Sequence, residues 1–221
     1  MVFAFPEVAV LSGTVLLTPV PVLDQPEDAL DLDAARAVVS ARALRDGPVG
    51  AVGLELEGHL VDLHDPGRRP DWPQVQEAQQ AAARVCRSTV AVEPGGQLEL
   101  STAVHPDVSS AVEALGRDEA ALRASLAELG LGWALLGTDP ARPPARVHPG
   151  SRYAAMEHWF ARDRASAAAA PVMMCATAAL QVNVEAGPRP NWAARVARAQ
   201  RLGPVLVALS ASSPMVAGRA T

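Results

Sequence analysis

Hydrophobic and polar positions change period several times along the chain, and each change marks an element. From Asp31 to Arg45, alanine and aliphatic residues recur at helical spacing until Asp46-Gly47-Pro48, a turn pair and a proline that end a helix. Val49 to Leu63 then alternates, with Leu54, Leu56, Gly58 and Leu60 on one side and Glu55, Glu57 and His59 on the other. That is the period of a strand with one apolar face. Asp65 to Asp71 reads as a loop, and Pro73 suits the first turn of a helix reaching about Arg87. Thr89 to Glu93 and Gln97 to Ser101 read as strands around Pro94-Gly95-Gly96. Val108 to Leu129 is helical in period, with a break expected at Gly116 and a cap at Gly130. Leu131 to Leu136 follows as a strand.

Beyond it, Thr138 to Gly150 carries four prolines and reads as a loop. Ser151 to Asp163 is helical, with Met156, Trp159 and Phe160 spaced to pack together. Ala165 to Ala170 reads as a low-complexity connector. Val172 to Glu185 alternates again, which places Cys175, Thr177, Gln181, Asn183 and Glu185 on one face of a strand and Val172, Met174, Leu180, Val182 and Val184 on the other. A last helix begins near Asn191 and runs through Leu202 towards Ser213. Strands with one polar face, mixed with helices, point to an antiparallel α+β fold. Met1 to Leu23 is apolar, but it carries Glu7, is broken by Pro6, Pro19 and Pro21, and has no basic start. It is expected to be an irregular or partly ordered extension, neither a signal peptide nor a membrane span.

Composition narrows the chemistry. The 221 residues include 24 acidic and 19 basic side chains, and every basic one is arginine. Without lysine, a Walker-type phosphate loop, a protein-kinase site and a pyridoxal Schiff base are all excluded. Cys86 and Cys175 cannot form a multi-cysteine zinc site, and as free thiols they fit a reducing, cytoplasmic compartment. A net charge of -5 and no basic run longer than Arg68-Arg69 argue against nucleic acid as a partner. The chain also lacks GxSxG, HExxH and CxxC motifs, and its five histidines are scattered. What remains is carboxylate.

Glu55 and Glu57 lie two apart on a strand, so they leave the same face about 7 Å apart at the backbone. Two charges held that close require water, an arginine or a cation between them, and hard carboxylate oxygens suit magnesium or manganese. A solvated outer face would serve as well for this pair alone. Two further polar-faced strands, one with Gln97, Glu99 and Ser101 and one with Cys175, Thr177, Gln181, Asn183 and Glu185, favour a shared cleft in which metal ions replace lysine in handling phosphate. Arg152, at the start of a helix, is either a surface-paired arginine or a fork-shaped donor to carboxylate or phosphate.

Four segments carry a resemblance. Gly53-Leu-Glu-Leu-Glu57, Glu93-Pro-Gly-Gly-Gln-Leu-Glu-Leu-Ser101, Arg152-Tyr-Ala-Ala-Met156 and Met173-Met-Cys-Ala-Thr-Ala-Ala-Leu-Gln-Val-Asn183 stand in the order and spacing of the glutamate-cysteine ligase family. Within that family the chain resembles the actinobacterial branch that feeds ergothioneine synthesis, and the tail Leu202 to Pro214 is similar too. The resemblance implies a glutamine-synthetase-like antiparallel sheet forming a cleft around magnesium, incomplete in this chain. It implies ATP, glutamate and cysteine as substrates, with ATP phosphorylating the γ-carboxylate of glutamate and the amine of cysteine attacking the acyl phosphate. By the same resemblance Glu55 and Glu57 are metal ligands, Glu99 is a further metal-binding or substrate-binding glutamate counted with them, Gln181 and Asn183 lie near the nucleotide and metals, and Arg152 is a catalytic candidate. Family members run to about double this length, and a later Glu-x-Arg strand completes their site. Residues 31–221 are thus expected to be the N-terminal half of the catalytic domain, with residues 1–30 a poorly matching extension. A complementing C-terminal half or self-association is the expected partner, and the alternatives are an inactive truncated or split-chain remnant acting only as a binding or assembly partner, and a related carboxylate-amine ligase that uses another amine acceptor.

Overall fold

The computed structural model describes Val8–Leu11, Thr14–Leu17 and residues 31–221. The rest of the expected N-terminal extension lies outside the described residues. Within it, Val8–Leu11 (β1) and Thr14–Leu17 (β2) pair antiparallel, from Val8 opposite Leu17 to Leu11 opposite Thr14. The extension is thus ordered in part: two short apolar runs separated by Ser12 and Gly13 in sequence satisfy each other's backbone groups.

The described residues divide into two compact units, those before Gly50 with 185–200 and residues 50–184 with 201–221. In the first unit, Leu32–Arg42 forms α1, whose start is capped by the Asp31 carboxylate accepting the Ala34 N–H at 2.7 Å. The Asp46 carboxylate accepts the Arg189 N–H at 2.8 Å, and the Trp192 indole N–H donates to the Gly187 carbonyl at 2.8 Å.

The second unit is built on one long strand, Val52–Asp62 (β3). Leu98–Ser101 (β5) runs antiparallel along one edge, and Thr89–Val92 (β4) continues beyond it. The other edge of β3 is shared. Leu180–Val184 (β7) pairs with its first half and Leu131–Ala134 (β6) with its second, both antiparallel. The mixed helices and antiparallel sheet make the fold α+β.

Two helices cover the apolar side of this sheet. Trp72–Val85 (α2) starts in a capping box between Asp71 and Gln74, with Pro73 in its first turn as expected. Val108–Ala127 (α3) is capped by Asp107. Val75, Ala78 and Ala82 of α2 and Ala111, Leu115, Leu122 and Leu126 of α3 form one core with Val52, Leu54, Leu60, Val90, Leu98, Leu100 and Trp133. Leu98, Leu100, Leu122 and Leu126 are fully buried, each worth about 2 kcal/mol of transfer free energy. Helix α3 is not interrupted at Gly116: that residue is exposed, and nothing lies within 4 Å of where a Cβ would stand. A solvent-side glycine costs helix stability about 1 kcal/mol, too little to break a well-buried helix.

The other corrections fall after residue 150. Ser151–Phe160 forms α4 as expected, but Arg164–Cys175 is a further helix, α5, so the alanine run is no connector and residues 172–175 are no strand. Alanine has the highest helix propensity, and the Asp163 carboxylate caps the new helix by accepting the Ser166 N–H at 2.8 Å. Cys175 and Thr177 therefore leave the polar strand face. Cys175 is buried at the end of α5, and the Thr177 hydroxyl donates to the Met173 carbonyl at 2.6 Å. Trp192–Ser210 is α6, and Met215–Val216 (β8) and Arg219–Ala220 (β9) form a small hairpin. No helix among the described residues is long and apolar enough to cross a membrane.

Candidate functional site

The site lies within the second unit, on the face of the sheet opposite α2 and α3. Because β3 alternates and its leucines pack on the helices, Glu55 and Glu57 must emerge together on this face. The registers then line up their partners. Glu55 stands opposite Ser101 on β5 and Gln181 on β7, while Glu57 stands directly opposite Glu99. Asn183, opposite Gly53, completes the row on β7.

Each carboxylate is held by donors. Glu55, only 7% exposed, accepts the Gln181 amide at 2.8 Å and the Asn183 amide at 3.2 Å. Glu57 accepts the Ala179 N–H at 2.9 Å, and Glu99 accepts the Ser101 hydroxyl at 2.9 Å. Two side-chain amides, a backbone N–H and a hydroxyl thus orient three carboxylates without neutralising them. Burial and the Glu99 charge raise the pKa of Glu55, against the Asn183 hydrogen bond. Burial, then the charges of Glu93, Glu99 and Glu55, push Glu57 up to about 7. Like charges on directly opposed strand positions repel, so this face is destabilised by its own composition.

Glu93 is a fourth member that the candidate set omitted. Burial and the charges of Glu99 and Glu55 push it up to about 7, with Arg152 opposing. It follows β4 with the same alternation as Ala91, which stands opposite Glu99, so its parity in the sequence was the available signal. Its N–H donates to the Gln97 carbonyl and its own carbonyl accepts the Gly96 N–H, closing the turn that joins β4 to β5. That turn needs Gly95: a Cβ there would meet the Cys175 carbonyl oxygen and, at 2.7 Å, its Cα.

Arg152 sits exposed at the start of α4, with its guanidinium 5.7 Å from the centre of the Tyr153 ring. Tyr153, also absent from the candidate set, is half-buried. Burial pushes its hydroxyl up to about 12, and Glu93 is the strongest of the carboxylates that add to the rise. Its ring meets His148 edge-on at 4.9 Å, and His148 packs on Trp72 at 4.5 Å. All six candidates, Glu55, Glu57, Glu99, Gln181, Asn183 and Arg152, thus belong to one neighbourhood, with Glu93 and Tyr153 added.

Could these residues hold a divalent cation? Among the described residues no three acidic, histidine or cysteine side chains stand close enough to enclose a metal ion. A closed protein cage is not what magnesium requires: it keeps several waters and is typically held by one or two carboxylates together with substrate phosphates. The hard carboxylate oxygens of Glu55, Glu57 and Glu99, each oriented by a neutral donor, fit that requirement.

The family model for glutamate-cysteine ligase family 2 (GCS2) matches residues 51–221. The chain belongs to this family. Among curated proteins it is 47% identical over 190 residues to the glutamate-cysteine ligase EgtA of Mycobacterium tuberculosis H37Rv, a match covering 86% of this chain and 44% of that one. It is 46% identical over 197 residues to the glutamate-cysteine ligase EgtA of Mycolicibacterium smegmatis, covering 89% and 46% respectively. The chain therefore spans less than half the length of these relatives. The GCS2 match begins one residue before β3 and takes in every residue of the carboxylate face.

Proposed function

We propose that this chain supplies the carboxylate face of a ligase that joins the γ-carboxylate of glutamate to the amine of cysteine at the expense of ATP. The observation that carries the reading is the row of carboxylates, Glu55 beside the opposed pair Glu57 and Glu99, held by Gln181, Asn183, the Ala179 N–H and Ser101 on a chain of this family. The row is the wall of a glutamine-synthetase-like cleft in this proposal. Both of the anions that must meet, a carboxylate and a triphosphate, would be repelled by this face alone.

Glu55, Glu57 and Glu99 are the proposed ligands of magnesium or manganese, with Glu93 beside them. When bound, such a cation supplies positive charge to the phosphates and lets two anions approach. The chain's own residues do the remaining work. Gln181 and Asn183 fix the Glu55 carboxylate and border the nucleotide. Arg152, next to Glu93 and Tyr153, offers a planar pair of donors to a carboxylate or phosphate. In the reaction itself, a γ-carboxylate oxygen of glutamate bonds to the terminal phosphorus of ATP and ADP leaves. The cysteine amine then bonds to the acyl carbon, inorganic phosphate leaves, and the amine gives up a proton. Supply of a thiol precursor for ergothioneine synthesis in the cytoplasm is part of the proposal; the free thiols Cys86 and Cys175 are in keeping with that compartment.

Residues 31–221 are proposed to form the first half of the catalytic domain. On β7, Leu180, Val182 and Val184 lie on the apolar side of the sheet yet are 57–64% exposed. Along α6, Leu202, Val205, Leu206, Val207 and Leu209 are apolar and exposed on more than one side, a composition suited to a buried helix. Further polypeptide of the kind the relatives possess would cover both. The test is a chimera in which residues 51–221 replace the matched segment of a full-length mycobacterial relative. Cysteine-dependent ADP release with glutamate and magnesium is expected. Release that is absent, or that proceeds equally with other amine acceptors, would overturn the assignment or its acceptor, respectively.

A further inference from the structure

The carboxylate row does not end at Glu57 and Glu99. One step further in the same register, on the same face, are His59 on β3 and Gln97 at the entrance to β5. Both are almost completely buried, at 3% and 2% exposure. Each also presents a polar atom with no partner: His59 Nε2 and Gln97 Oε1. An unpaired buried polar atom costs about 1–3 kcal/mol, so two at adjacent positions call for a shared explanation.

Their other ends are anchored. The Gln97 amide nitrogen donates to the Thr177 carbonyl at 2.7 Å, which turns its oxygen the opposite way. The His59 ring bonds the Leu136 backbone, and because Nε2 has no partner, Nδ1 makes that bond. Neither side chain can rotate to satisfy itself without losing a bond. Both line a single small cavity, together with Arg69, Arg142, Pro70 and Val75, and its volume is about 10 Å³. That is the space of one water-sized sphere, too little for a phosphate or a carboxylate.

The arginines decide what can sit there. Arg142 donates to Asp139 at 2.7 Å and to the Leu60 carbonyl at 2.8 Å, and Arg69 donates to the Pro143 carbonyl at 2.7 Å and pairs with Asp139 at 3.6 Å. Two guanidinium groups in the wall disfavour a cation such as ammonium. A neutral molecule that donates to the Gln97 oxygen, bonds the His59 nitrogen and still has a lone pair for an arginine N–H meets every condition. We infer that a single buried water bridges His59 Nε2 and Gln97 Oε1 at the closed end of the carboxylate row. It ties β3 to the first residue of the segment that carries Glu99, and so braces the two strands whose like charges push them apart.

A crystal structure of the chain at a resolution that shows ordered water tests this directly. The expected result is one spherical peak about 2.7–3.2 Å from both atoms, without anomalous signal after a bromide soak. A dry cavity, a bromide peak, or the two side chains bonded directly to each other overturns the inference. In solution, oxygen-17 relaxation dispersion should count one fewer long-lived water in Gln97→Met than in the unaltered chain. An unchanged count in a folded variant also overturns it, and the crystallographic result stands whether or not that variant folds.

Discussion

Replacing Glu57 by glutamine should make the folded chain more stable at pH 8, although it removes a proposed ligand. Glu57 has a pKa of about 7 in the folded chain against an ordinary 4.5, because it is buried beside Glu93, Glu99 and Glu55. At 1.36 kcal/mol per pH unit the difference has a ceiling of about 3 kcal/mol. The side chain keeps some contact with water, and its charge shares one repulsion with Glu93, so about 1–2 kcal/mol is the expected gain. Glutamine can still accept the Ala179 N–H that bonds Glu57 at 2.9 Å, so the backbone contact survives.

The sign follows from proton counts. Between pH 4.5 and about 7 the folded chain retains a proton that the unfolded chain has released, so stability of the unaltered chain falls as pH rises through that window. The glutamine variant lacks this slope, and its advantage should shrink towards zero near pH 4.5. Urea unfolding at pH 8 and pH 5, with the slope m compared to confirm that the unfolding itself is unchanged, reads both quantities. A variant equally stable or less stable at pH 8 would refute the claim that the carboxylates strain this face. Added magnesium should raise the stability of the unaltered chain at pH 8 more than that of the variant.

Three further outcomes separate positioning from packing. Gln181→Ala removes the 2.8 Å donor to Glu55 from an exposed site, so kcat/KM of the chimeric ligase should fall about 10–100-fold while the circular dichroism spectrum stays the same. Gly95→Ala drives a methyl group into the Cys175 backbone, so urea unfolding should show a loss of about 1–3 kcal/mol. Asp139→Ala strips the 6% exposed Arg142 side chain of its carboxylate partner and should cost about 3–5 kcal/mol in the same assay, whereas Asp139→Asn, which keeps acceptors for the Arg142 and Ala141 N–H groups, should cost less.

The part of the site legible in the sequence was the part governed by period. Leu54, Leu56 and Leu60 have to reach the helices, so Glu55 and Glu57 have to point away from them, and the same parity places Glu99. Period failed where two elements share it over a short run. Val172 to Cys175 alternates like a strand, but four residues cannot outweigh a capped alanine helix leading into them, and the strand begins only at Leu180. Glu93 lies one residue beyond the end of β4 yet keeps the parity of Ala91, and that parity was the signal that places it beside Glu99. Tyr153 was not legible at all: its place beside the carboxylates comes from the packing of α4, through His148 and Trp72.

The absence of lysine acquires a physical meaning beside this face. A lysine among Glu55, Glu57, Glu93 and Glu99 would relieve their mutual repulsion and stabilise the folded chain, and it would also occupy the position of the proposed cation. Arg152 is the basic residue acting on Glu93, from the exposed start of a helix, and the carboxylates stay strained even so. A fold selected for stability alone would not align glutamates on adjacent strands at the cost of about 1 kcal/mol for a directly opposed pair. Amides hold Glu55 in place and neutral donors hold its neighbours, so the repulsion is kept and oriented, as the proposed binding of a divalent cation requires. The strain at this sheet is therefore the feature to follow: a treatment that relieves it without a cation should raise stability and lower turnover together.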